Sequence, residues 1–582
     1  MKKLLALLLL LAPAAGAQSS STSTFVYAAG RRWLTLDPAN AIDVISHTLA
    51  GNVYESLITI KSVNEPDVLE PFLATAVPSV ENGLLSKDGL TYAFPIRAGV
   101  RFHDGSLMTP EDVRWSILRF MLLDTEGGPA ALLLKPILGV YATRDASGKR
   151  VVDFKDAATA VAVKDGAVVI ALKKPDNSFL RLMASLPLVA SKSWAAAHGD
   201  WDGTEKGWAA FNGLARHKSY LHDHVNGTGP FRLESESRDE AVLARHDAYW
   251  RGPAALERVT YKVAADGGLR LFMLQAGDAD AAFLDGTYRP YAAAVKNLRM
   301  LPAQANDQGE MLFFGFKVAA GDDDLLGSGK LDGRGMPPDL FADADVRRGF
   351  AWAFDYEHYF RTALGKKGRR VTAPFPESLV PGAAPEAAYA HDPRKAEEAL
   401  RRALGGRVWE AGFIAPVAYR PNVLSSRLAA EALKRGVEAL NPRFKIRLYP
   451  LSGGEFFAGI ESGRLPLFIN GYYGAYPDAH TYAFGLLHSQ GYFPKHQGFA
   501  DPALDALIEK ALVEPDPAER RALYQKIRGI YAADLPHLYT YAPEPLRVCG
   551  EWVKGCDSTD DVNNLNFNNF PYFYPYSKTT PK

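Results

Sequence analysis

The stretch Leu465-Pro-Leu-Phe-Ile-Asn-Gly-Tyr-Tyr-Gly-Ala-Tyr-Pro-Asp-Ala-His-Thr-Tyr482 decides how the chain is read. It opens as an apolar run, Leu467 to Ile469, with the composition of a buried strand, and breaks at Gly471 into an aromatic turn closed by Pro477. Tyr472, Tyr473, Tyr476 and Tyr482 put four rings around one bend, each with a flat apolar face and a hydroxyl that needs a partner when buried. A strand ending in such a turn makes a wall suited to gripping a small solute. Packing of a core or a sheet edge is the alternative use of the same rings.

Just upstream, 445–448 reads as a strand and 454–463 as a helix. This strand–helix–strand order predicts a right-handed βαβ crossover, with the turn at a strand end where α/β proteins hold ligands. The run 343–360 reads as one amphipathic helix carrying Val346, Phe350 and Phe354 on one face, and 424–440 as another. Helices over 501–512 and 517–531 follow, and the apolar run 535–541 returns the chain to the first domain.

Towards the N-terminus, 24–28 reads as a strand, 31–40 as a loop, and the next residues as a helix capped by Asp43 or Ser46. A β-rich unit comes next, with strands at 91–94 and 100–102 and strand-like runs at 151–152 and 168–172. Within it Thr109-Pro-Glu-Asp112 begins a helix with a capping hydroxyl, a proline at the first position and two carboxylates in the first turn.

The chain has 582 residues. Single cores stop growing near ~250–300 residues, so two or three domains are expected. Basic and acidic side chains balance at 66 each, which gives no general electrostatic reason to bind nucleic acid or anionic membrane. Met1-Lys2-Lys3, the apolar run 4–12 and Ala15-Gly16-Ala17 form a cleavable signal peptide over 1–17, with the mature chain starting at Gln18. No run reaches the ~20 apolar residues of a spanning helix, and no cysteine at the cleavage site can carry a lipid. A soluble, exported, periplasmic protein is expected. Cys549 and Cys556 are close enough for a small-loop disulfide in an oxidising compartment, with two free thiols as the alternative.

No catalytic constellation survives inspection: there is no Gly-x-Ser-x-Gly elbow, His-Glu-x-x-His helix or Cys-x-x-Cys. His217, His222 and His224 lie in a polar segment and read as an exposed loop. His480, His488 and His496 recur every eight residues, which is no helical repeat, and read as loop residues. Asn226-Gly-Thr-Gly-Pro-Phe231 reads as a tight turn before a strand, and the insertion around Asp322–Lys330 fits neither a phosphate loop nor a calcium loop. No catalytic residue, metal or cofactor is therefore expected.

Several segments, taken together, resemble the extracytoplasmic solute-binding proteins of family 5, the dipeptide, oligopeptide and nickel type that feed ABC importers. They include Leu36-Asp-Pro38, Tyr54-Glu-Ser-Leu57, Asp88-Gly-Leu-Thr-Tyr-Ala-Phe94, Ile96-Arg-Ala-Gly-Val-Arg-Phe-His-Asp-Gly105, Gly227-Thr-Gly-Pro-Phe231, Tyr249-Trp-Arg-Gly252 and the Gly471 to Asp478 turn. They span almost the whole mature chain in family order.

The resemblance implies an α/β, two-lobed periplasmic-binding-protein fold (class II, cluster C) with an extra β-rich subdomain. The expected divisions are 18–68, 190–300 and 535–582 for the first lobe, 69–189 for the subdomain and 301–534 for the second lobe. A peptide or peptide-like solute would lie between the lobes and pass to an ABC-transporter permease, with the protein acting as a monomer. Carried over by position, ligand contacts fall near Ile42 and Val44 and near Gly471 and Tyr473, and the rings of Tyr472 and Tyr476 in the same turn are expected to line the cleft with them. Family members that bind peptides place an aspartate for the free amine where this chain has Ala475. A buried ammonium without a counter-charge is costly, so Asp478 is the candidate substitute, with helix capping as its other role. An oligosaccharide or other neutral solute is the alternative ligand; a secreted hydrolase, or a sensor acting without a permease, is the alternative of another class.

Overall fold

The computed structural model describes residues 22–580 apart from 42, 63–64, 126–127, 146, 302–308, 320, 322–324, 365, 367, 377–378, 381–388, 473, 544–545, 558–559 and 563–570. The expected signal peptide lies outside the described residues. Two sheets organise the rest. The seven-stranded sheet runs, in spatial order, Leu298–Met300, Leu546–Gly550, Ala281–Leu284, Thr24–Ala29, Arg258–Val263, Glu240–Arg245 and Phe231–Glu236. It therefore draws on the start, the middle and the end of the chain. Thr24–Ala29 sits at its centre, parallel to both neighbours.

The five-stranded sheet runs Phe444–Pro450, Phe413–Tyr419, Leu467–Gly471, Glu310–Phe314 and His537–Tyr539. Every residue of Glu310–Phe314 is buried. Successive side chains of a strand point to opposite faces. Leu312 and Phe314 accordingly enter one core, with Phe350, Phe413 and Val417, while Met311 and Phe313 enter the other, with Phe468, Tyr482 and Ile508. A sheet covered on both faces is what the unbroken apolar runs of these strands require.

A third, three-stranded sheet of Thr91–Pro95, Ala167–Ala171 and Val161–Lys164 packs with the helix Pro110–Leu123 into the first lobe's core. That helix starts with a full capping box, in which Thr109 Oγ1 accepts from Asp112 N and the Asp112 carboxylate accepts from Thr109 N at 2.9 Å.

Four expectations need correction. The run 343–360 is two helices, Ala344–Ala353 and Tyr356–Ala363, because Asp355 stops the first and caps the second by accepting from His358 N. The run 535–541 supplies His537–Tyr539, an edge strand of the second lobe; the return to the first sheet is made by Leu546–Gly550. Residues 151–152 form no strand, and the third strand of the small sheet is Val161–Lys164. The strand expected at 100–102 is only an isolated bridge between Arg101 and Leu107. The expected strand–helix–strand unit is present, with Phe413–Tyr419 lying between Phe444–Pro450 and Leu467–Gly471, parallel to both.

The shared motifs prove to be joints of the first lobe. Asp37 and Asp200 grip the Arg119 guanidinium at 2.6 and 2.8 Å with all three side chains sealed from solvent, and Ser219 Oγ donates to Asp37 at 2.6 Å. Burial opposes the charge on Asp37, but Arg119 outweighs it and holds the carboxyl below its usual range. Ser46 does not cap the first helix. Its Oγ accepts from Leu34 N and Thr35 N, pinning the loop, while Asp43 caps Val44–Val53. Glu55 accepts from Tyr249 Oη at 2.7 Å and Trp250 Nε1 at 3.1 Å, so two distant motifs meet at one carboxylate. Gly227 and Gly229 lie against the carbonyl end of this helix, where a Cβ would stand 2.1 and 2.7 Å from Val53 backbone atoms. Cys549 and Cys556 are joined as a disulfide, with Cys549 in Leu546–Gly550, between the strands Leu298–Met300 and Ala281–Leu284 of the first sheet.

Two outcomes follow. Arg119→Met strands two buried carboxylates and should lower the free energy of urea unfolding by about 3–5 kcal/mol; a loss under about 1 kcal/mol would mean the triad is dispensable. Burial raises the Glu55 carboxyl to about 7. A carboxyl whose folded value exceeds its unfolded one contributes most at low pH and loses that contribution as pH climbs through the folded value. Glu55→Gln removes this dependence, so its stability relative to wild type should rise by roughly 3 kcal/mol between pH 4.5 and 8. A pH-independent difference in urea titrations would contradict the assignment.

Candidate functional site

The second lobe meets the first around the aromatic turn. Leu467–Gly471 pairs along its whole length with Glu310–Phe314, Gly471 facing Glu310. On its other side the ladder to Phe413–Tyr419 covers only Leu467 and Phe468. Among the described residues, the strand from Ile469 onwards is thus bonded along one edge, and half-buried Gly471 ends it.

Glu310 is a buried carboxylate beside that strand end. It accepts from Ser426 Oγ and from Tyr359 Oη, the latter at 2.9 Å, and burial raises its carboxyl above the usual range. Ser425 Oγ lies 3.1 Å from Glu310 and 2.9 Å from Asp285 of the first lobe, so one hydroxyl bridges the lobes at the crossing strands.

Tyr472 is half-buried and turns its ring towards the second lobe's core. It packs edge-on against Tyr482 and Phe493, each 5.8 Å away between centroids, and donates its hydroxyl to Thr481 O at 2.9 Å. Gly485 makes the room, since a Cβ there would stand 2.3 Å from the Tyr472 hydroxyl. Tyr476 leaves its own lobe and is buried in the core of the first, where its hydroxyl bonds Ser178 and burial pushes its ionisation far up. Ala475 packs on the same core.

Asp478 caps the helix Ala479–Leu487 by accepting from His480 N, and Arg520 at 2.7 Å and Arg181 at 3.4 Å meet its charge. Burial works against that charge, but Arg520 and the cap hold the carboxyl below the usual range. Its counter-charges are therefore supplied by the protein.

Of the other expected contacts, Ile42 and Tyr473 lie outside the described residues. Val44 opens its helix half-buried against Tyr572 and the first-lobe core. The histidines expected in loops are helical: His480 lies in Ala479–Leu487, His488 caps that helix and His496 lies in Tyr492–Gln497. His222 Nδ1 bonds Thr35 Oγ1 at 3.1 Å, His224 stacks on Tyr220 at 4.2 Å, and His217 is exposed. Among the described residues no group of three His, Cys, Asp or Glu side chains is placed to hold a metal. A surface groove of about 570 Å³ lined by Trp194, His222 and Glu236 contains none of the expected contacts.

Sequence reasoning missed Glu310, Ser425 and Arg181. Glu310 opens an otherwise apolar strand, which was a readable signal; Ser425 and Arg181 carried none.

Comparison with known proteins fits this geometry. The glutathione-binding protein GsiB of Escherichia coli O1:K1 is 24% identical over 528 residues, covering 88% of this chain and 87% of the relative. Heme-binding protein A of Haemophilus influenzae is 26% identical over 558 residues, covering 92% and 90%. The structure of DppA from Helicobacter pylori in complex with the peptide STSA superposes with a TM-score of 0.75 at 19% identity, covering 95% of this chain and 98% of that one. Among the described residues no helix is long and apolar enough to cross a membrane. The profile of the bacterial extracellular solute-binding proteins, family 5 (Middle), matches residues 68–494, and the chain belongs to that family.

Proposed function

We propose that the protein captures a peptide or peptide-like solute between its lobes and delivers it to an ABC-transporter permease, acting as a monomer exported by its first 17 residues and released without a lipid anchor. The divisions drawn from the sequence serve this reading, with the C-terminal return to the first lobe moved past Tyr539. The carrying observation is the strand Leu467–Gly471, whose last residues are, among the described residues, bonded along one edge only. An extended ligand backbone can add there as a further strand, main-chain hydrogen bonds supplying affinity and side-chain pockets selectivity. Ile42, Val44 and Tyr473 are the further proposed contacts. GsiB and DppA, whose names carry glutathione and a peptide, are consistent with ligands of this class.

The amine subsite is where this chain departs. Ala475 offers no charge, and Asp478 is already met by Arg520 and Arg181. A ligand ammonium buried there would go unpaired, at a cost that disfavours it. The preferred ligand is therefore a peptide whose amine is blocked or points elsewhere. The same lack of counter-charge carries a second reading, a neutral solute such as an oligosaccharide.

Thermal unfolding against free peptides, their N-acetylated forms and oligosaccharides separates these. A solute at 100 times its dissociation constant adds ~2.7 kcal/mol, enough to raise the midpoint visibly. Acetylated peptides should stabilise at least as well as free ones. Stabilisation by free peptides alone would show the amine to be paired and the reading of Asp478 to be wrong; stabilisation by oligosaccharides alone would select the second reading.

A further inference from the structure

Beyond the aromatic turn, the subdomain of the first lobe meets the second lobe directly. Asn177 donates from its backbone N–H to Leu512 O at 3.3 Å and from Nδ2 to Leu512 O at 3.0 Å and Glu514 O at 2.6 Å. These carbonyls end the helix Pro502–Val513. The last carbonyls of an α-helix have no partner within the helix. One lobe therefore supplies the C-terminal cap of a helix in the other. Nearby, Arg181 reaches Asp478, and Lys135 Nζ and Tyr141 Oη meet Glu509 at 2.7 and 2.9 Å. The Tyr141 ring stacks on Phe484 with 5.6 Å between centroids.

The charges in this contact are arranged to part without penalty. Arg181 also holds Asp67 of its own lobe at 2.5 Å, and Asp478 also holds Arg520 of its own lobe at 2.7 Å. Separation leaves neither charge without a partner, so the large cost of orphaning a buried ion does not arise. The capped carbonyls pass to water. Contacts that form on closure, yet leave both sides satisfied when apart, give a reversible balance between open and closed forms.

We propose that Asn177, Arg181 and the Lys135–Tyr141 pair form a clasp that draws the lobes together without help from the solute and so sets the closed fraction on which capture depends. The inference rests on the solute-binding reading. When only one form binds fully, the apparent dissociation constant is the intrinsic one divided by that form's fraction. Loosening the clasp therefore weakens every solute by one common factor, whereas a change in the cleft weakens solutes selectively.

The test is small-angle X-ray scattering of the solute-free mature chain, comparing wild type with Asn177→Ala/Arg181→Ala and with Lys135→Ala/Tyr141→Phe. The clasp predicts a compact wild type matching the structure, expansion of both variants, and a loss of affinity of about fivefold or more that is the same for all solutes bound. Superimposable curves, an expanded wild type, or losses that differ from solute to solute would overturn it. The two variants change different contacts, so one suffices if the other does not fold. Because scattering needs no solute, a failed clasp leaves the solute-binding reading standing. A compact wild type that binds nothing in the panel would instead remove that reading and leave the clasp.

Discussion

A guanidinium sealed between two carboxylates fixes the relation of the first lobe to its subdomain, and the cleft depends on it. Arg119 stands on the subdomain helix Pro110–Leu123; Asp37 belongs to the loop that leads into the helix Val44–Val53. Buried ions are stable only when paired and bonded, so the pair enforces one docking geometry. Ser46 and His222 hold the same loop from its other side. Because the subdomain is fixed in this way, Ser178 and Arg181 stand where the turn of the second lobe can meet them.

That turn divides its work between two tasks. On the proposed reading its strand end keeps an open edge for a solute, while Tyr476 and Asp478 join the lobes. Tyrosine suits the second task, since it brings a large apolar area and a hydroxyl that finds Ser178 on arrival. Aspartate suits it only because two arginines and a helix cap share its charge. On the proposed reading, selectivity against free amines and contact between the lobes are linked through one residue.

Local features were readable because their physics is local. The capping box at Thr109, the strand Thr24–Ala29 and the apolar faces of Val346 and Phe350 depend on neighbours a few residues away. The break at Asp355 was hidden because Phe354 continues the helical spacing, and only the backbone reveals that Asp355 caps a new helix. The run 535–541 was legible as an apolar segment but was assigned to the wrong lobe, since apolar composition does not name a partner. The Gly227 and Gly229 motif was legible as a turn; that its glycines make room for Val53 was not. Asp478 was legible as a helix cap, but its contact with the other lobe was not, because Arg181 lies 297 residues away.

The central claim is that the chain holds a solute in the cleft and releases it unchanged. Native mass spectrometry of the protein incubated with a stabilising solute, followed by unfolding and analysis of what is released, tests it most directly. The account predicts one solute per chain, recovered intact, with occupancy lost on substituting Gly471→Pro, which removes a backbone donor at the open strand end. Recovery of a cleaved or altered solute would make the protein a hydrolase, and undiminished occupancy in the Gly471 variant would place the solute elsewhere.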